Sequence, residues 1–104
     1  MATYTRAITM GASGTVTGTG AIIKVYCGFK PAYVKVINVS GAAELEYTSD
    51  FPDWAAYKYN LGTNAAILTD GIAALEDNGG EGFQIGADTD VNVAAEAIMW
   101  MALG

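Results

Sequence analysis

The chain has 104 residues, 52% hydrophobic and 15% charged, with 5 basic against 11 acidic side chains and a net charge of -6. That length fits one domain, and so apolar a composition excludes intrinsic disorder, which needs the reverse balance. The five cations, Arg6, Lys24, Lys30, Lys35 and Lys58, cannot outweigh the acids to build a face for phosphates, so no nucleic-acid partner is expected.

Residues 1–20 are rich in Thr, Gly and Ala, with no aromatic after Tyr4. Thr, Ile and Val favour a strand, whereas the glycines raise the entropy lost on ordering. The segment therefore reads either as an N-terminal edge strand, from Thr3 to Met10, or as an arm that orders by pairing with a partner's strand edge. The body is expected over residues 21–104. In Ala21 to Cys27, Ile23, Val25 and Cys27 alternate with Ile22, Lys24 and Tyr26, the period of a strand. Gly28-Phe29-Lys30-Pro31 is a turn signal, and Tyr33 to Val39 alternates again. Both of its faces are partly apolar, as in a strand covered on two sides. Glu44 to Thr48 is a third strand.

Asp50 to Ala56 reads either as one helical turn, with Pro52 at its first position, or as a structured loop holding Trp54 over a sheet end. Tyr57 to Leu61 and Ala66 to Thr69 are predicted strands around a Gly62-Thr63-Asn64 turn. Ile72 to Leu75 follows the tight-turn dipeptide Asp70-Gly71. Glu76 to Gly82 reads as a long polar loop, and Phe83 to Ile85 and Val91 to Val93 as short strands. Glu96 to Leu103 closes the chain with an apolar strand predicted to be buried on both sides in the middle of a sheet. Short strands at this spacing predict an all-β, single-domain antiparallel sandwich of jelly-roll-like kind. Val34, Val36, Phe83, Ile85, Ile98 and Trp100 are its expected core.

Catalytic chemistry finds little support. There is no His, so a Ser or Cys nucleophile would lack its usual base, and the acidic residues cluster in Gly-rich turns, where carboxylates face solvent. No enzyme activity, cofactor or metal is expected. Cys27 has no partner for a disulfide and reads as packing in a strand. Asp88-Thr89-Asp90-Val91-Asn92 copies the first half of a calcium loop, but Val93 and Met99 stand where that loop needs Gly and Glu. It reads instead as an Asx turn, with Asp88 or Asp90 accepting from backbone amides. No secretory core and no apolar run of spanning length occur, so a cytoplasmic origin and no membrane partner are expected. Few charges and many apolar side chains predict a protein that covers its surface with partners or further copies of itself. The expected contact residues are Tyr4, Arg6 and Ile8 of the N-terminal segment and Trp54, Tyr57 and Tyr59 beside the irregular middle loop. Aromatic rings also stack on sugars, so a glycan stays open as a ligand.

Three segments, GFKPAYVKVINV, GFQIGADTDVN and EAIMWMAL, together resemble a pattern in small tailed-phage virion proteins and related modules of phage tail proteins. The resemblance spans about residues 20–104 and is strongest at its two ends. It implies a β-sandwich with a structural role in the virion, assembled in the host cytoplasm. A head decoration (cement) protein bound to the major capsid protein or other virion proteins is the preferred form of that role. A trimer follows from the three-fold positions of capsids. The alternative is a receptor- or glycan-binding module of a tail or baseplate, since sugar-binding sandwiches of the H-type lectin kind use similar strands.

Overall fold

The structure, a computed structural model, describes residues 10–104. It is all-β, with nine strands and no helix among the described residues. In chain order these are β1 (Gly11–Thr17), β2 (Ile23–Tyr26), β3 (Tyr33–Asn38), β4 (Ala43–Thr48), β5 (Ala56–Asn60), β6 (Thr63–Ile67), β7 (Ile72–Asp77), β8 (Gly80–Ile85) and β9 (Ala97–Leu103). They form two antiparallel sheets, one of six strands in the order β1-β9-β3-β4-β5-β6 and one of three in the order β2-β8-β7. From β3 to β6 the chain meanders through one sheet. It crosses to the other for the β7–β8 hairpin, and β9 then returns to lie between β1 and β3.

Alternation along the strands builds the core between the sheets. Val34 and Val36 of β3, Leu45 of β4, Phe83 and Ile85 of β8 and Ile98 of β9 are fully buried. Each such side chain contributes about 1.5–3 kcal/mol of burial free energy. Trp100, expected in the core, is instead half-buried at its flank and meets Phe83 edge-on, with ring centroids 5.4 Å apart. Cys27 lies partly buried against the same core, and its Sγ donates to the Phe29 carbonyl at 3.3 Å.

Several local expectations are corrected. Of the two readings of Asp50 to Ala56 the structured loop holds, with a Pro52–Ala55 turn, no helix, and β5 beginning at Ala56. The turn between β5 and β6 is Leu61-Gly62, both at positive φ (48° and 84°), so Thr63 and Asn64 are strand residues paired with Asn60 and Tyr59. A leucine in that conformation is uncommon, which is why the sequence points one step too far along. The polar stretch Glu76 to Gly82 is a hairpin turned at Asn78-Gly79, with Asp77 paired to Gly80. Val91 to Val93 forms no strand, because its buried residues are held by side-chain bonds and not by a ladder. The N-terminal edge strand expected from Thr3 to Met10 lies, except for Met10, outside the described residues; the edge strand that is described runs through Gly11–Thr17, paired with β9.

The terminal strand is the largest correction. β9 is interior to its sheet, yet only Ile98 and Ala102 are buried, whereas Met99 and Met101 are 51% and 41% exposed. Beside it, Tyr33, Lys35 and Ile37 of β3 are only half-buried. Both strands expected to be covered on two sides are covered on one, since no second layer of the described residues lies on the outside of the six-stranded sheet.

Candidate functional site

Antiparallel sheets that meet water on one face usually alternate apolar-in with polar-out. The outer face here departs from that rule beside β9. Ile37, Met99 and Met101 line a groove of about 200 Å³ with Ser13 and the stem of Lys35. The Lys35 ammonium is tied sideways to Glu44 at 3.1 Å, so the groove keeps its apolar character. Further across, the Tyr33 hydroxyl donates to the Glu46 carboxylate at 2.6 Å. Burial first, and then that carboxylate, push the Tyr33 phenol up to about 12. Tyr57 and Tyr59 stand on the same face of β5, with ring centroids 4.9 Å apart.

A second feature lies at the end of the molecule where the loop before β5 meets the loops flanking β7. Here Ile22, Asp53, Trp54, Leu68, Thr69 and Asp70 surround a cleft of about 340 Å³. Its walls are three chain segments in backbone contact. Trp54 N–H donates to the Ile72 carbonyl at 2.8 Å, Gly71 N–H to the Trp54 carbonyl at 3.0 Å, and Gly86 N–H to the Gly71 carbonyl at 2.7 Å. A Cβ on Gly71 would lie 2.7 Å from the Trp54 oxygen, and one on Gly86 2.4 Å from the Asp70 carbonyl carbon. Only glycine permits either approach. Trp54 itself sits at φ 72° and Asp70 at φ 60°. Positive φ is a true outlier for a residue as bulky as Trp, with a strain of about 1–3 kcal/mol. The Asp53 carboxylate accepts from Ala74 N–H through one oxygen, and Asp70 makes no side-chain hydrogen bond or ion pair among the described residues. Leu68, 76% exposed, separates this cleft from an apolar hollow of about 180 Å³ bounded by Phe51, Pro52 and Tyr57.

The calcium-like stretch resolves into a structural cluster. Asp88 Oδ1 accepts from the Asp90 and Val91 amides at 3.0 and 3.1 Å, the geometry of an Asx turn. Its Oδ2 meets Lys58 Nζ at 2.8 Å, and Asp90 meets the same ammonium at 2.6 Å. Burial alone would lower the Lys58 pKa, but the two carboxylate bonds outweigh it and hold it above its ordinary value. An ammonium thus stands beside the carboxylates that a cation would need, and no group of three or more metal-ligating side chains occurs among the described residues.

Of the expected contact residues, Tyr4, Arg6 and Ile8 lie outside the described residues. Trp54 and Tyr57 flank the two hollows on either side of Leu68, and Tyr59 stands with Tyr57 on the outer face. Ile37, Met99 and Met101 were not singled out as contacts, although their signal, apolar residues on the second face of two strands, is plain in the sequence. Asp53, Thr69 and Asp70 carried no signal, because they converge only through the crossing of three distant loops. Compared with protein-family models, curated proteins and solved structures, the chain matches none.

Proposed function

We propose that this is a non-enzymatic structural protein of a tailed-phage virion, a head decoration protein that stabilises the capsid through protein–protein contacts and works as a homo-oligomer, taken as a trimer. The observation that carries the reading is the uncovered outer face of the six-stranded sheet. Ile37, Met99 and Met101 offer water a continuous apolar groove on strands whose composition suits burial on both sides. Methionines suit such a surface, since their flexible thioethers adapt to a partner's shape. A chain without His also lacks the commonest general base, in keeping with a structural role.

The test is position on the particle. Heads and tails of the virion are separated and probed by immunogold labelling and by cryo-electron microscopy. Regular density on the head surface is the expected result. Label confined to tails or baseplates would replace the decoration reading with that of a receptor-binding module, and label on neither would end the virion reading.

A further inference from the structure

The cleft at Trp54 stands apart from the apolar groove and asks for a different ligand. Glycine or asparagine would hold the backbone of position 54 without strain. The indole recovers little in exchange, because Trp54 is half-buried and does not belong to the core cluster. Strained residues cluster where a side chain must be aimed at something. Here the aim is over-determined, for both the N–H and the carbonyl of Trp54 are clamped to the 71–72 segment. Asp70, a second residue at positive φ, lines the same cleft, and two glycines without room for a Cβ hold its walls together.

We infer that this cleft is a binding site for a neutral saccharide, stacked on the Trp54 indole and hydrogen-bonded through its hydroxyls to Asp53, Thr69 and Asp70. The lining selects the class. No cation lines the cleft, and two carboxylates do, so an anionic ligand would be repelled. A pyranose combines an apolar C–H face, which suits an indole, with a rim of hydroxyl donors, which suits carboxylate oxygens. Asp53 keeps one oxygen free of its bond to Ala74, Asp70 keeps both among the described residues, and Thr69 supplies a hydroxyl. Leu68 and Ile22, 76% and 54% exposed, extend the apolar side. The volume of about 340 Å³ lies at the lower end of the range for small-molecule sites, about 300–1,000 Å³. This reading does not depend on where the protein sits in a virion.

The test is a nuclear magnetic resonance titration of the full ¹⁵N-labelled chain with cellobiose, maltose, lactose and diacetylchitobiose. Acetyl-arginine methylamide serves as a cationic probe of the same cleft. The chain has two indole N–H groups, and the signal that disappears in Trp54→Gly is that of Trp54. At least one saccharide should shift the Trp54 indole and the Gly71 and Gly86 amides saturably, with a dissociation constant of about 0.1–10 mM, and leave the Trp100 indole in place. Trp54→Gly should abolish those shifts at the two amides. Asp70→Asn, which tolerates the same backbone conformation, should weaken binding about tenfold while the fold is unchanged. The inference is overturned if none of the four saccharides moves these signals. It is equally overturned if Asp70→Asn and Trp54→Gly bind as the parent does, or if the arginine probe alone moves them and added salt reverses the effect.

Discussion

Single residues carry two kinds of energy in this protein, strain at Trp54 and the ion pair of half-buried Lys58 with buried Asp88. The αL backbone of Trp54 stores about 1–3 kcal/mol, of which its half-buried ring, outside the core cluster, returns only a part, while a glycine at this position would lose more chain entropy on folding. Trp54→Gly is therefore expected to change stability by less than about 1 kcal/mol in urea unfolding, although it deletes the largest side chain type. Trp100→Ala removes an indole packed on Phe83 and should cost about 2–3 kcal/mol, below the range for a fully buried Trp because Trp100 is half-buried. Lys58→Met leaves Asp88, 7% exposed, without its counter-ion and should cost about 3 kcal/mol. Adding Asp88→Asn to that variant should restore part of the loss, a double-mutant comparison that isolates the ion pair from packing.

Between elements, polar side chains do work that strand ladders do not. Asn92 is buried in a segment without secondary structure, and its amide spans two loops. Oδ1 accepts from the Thr19 and Gly20 amides, and Nδ2 donates to the Ala21 and Gly86 carbonyls. Asn92→Ala strands several of these groups at once and should cost about 3 kcal/mol or more, read from the urea midpoint. On the outer face, Tyr33 of β3 bonds Glu46 of β4, and its phenol titrates near 12 when folded against an ordinary value of 10.0. The folded state therefore holds this proton more tightly than the unfolded state. The resulting stability is complete below pH 10 and is lost as pH rises from 10 to about 12. Thermal melts should show the melting temperature falling through that window, and Tyr33→Phe should flatten part of the fall.

At the scale of the whole molecule, one sandwich presents two surfaces of opposite character, an apolar groove on the outer sheet face and a mixed cleft at the end. If the groove is an attachment surface, Met99→Gln with Met101→Gln should leave stability within about 0.5 kcal/mol, because both side chains are already exposed. The same pair should abolish self-association in sedimentation and decoration of heads. Removing residues 2–9 spares every residue of β1 and its pairing with β9, so the melting temperature of that variant separates an arm, which leaves it unchanged, from a part of the body, which lowers it. Loss of attachment in it would assign the contact expected of Tyr4, Arg6 and Ile8 to that segment.

Strand alternation is a local property with a period of two, so the sequence alone determined the all-β class, the two alternating residue sets of β2 and β3, and the core residues Val34, Val36, Phe83, Ile85 and Ile98. It also located the Asx turn at Asp88, because that bonding involves neighbours two and three residues away. Positions governed by unusual backbone, such as Leu61 in its turn, were misplaced by a residue or two. Only the tertiary structure decided what lies on the second side of each strand. An apolar face on β3 or β9 reads the same whether a second sheet, a partner or water covers it, and the placement of β9 between β1 and β3 leaves Met99 and Met101 outside. It likewise decided the neighbour of Lys58, 30 residues distant in the chain at Asp88, and the meeting of Trp54 with Asp70 and Gly86. Contacts between distant segments depend on how whole sheets stack, and no short window of sequence contains that information.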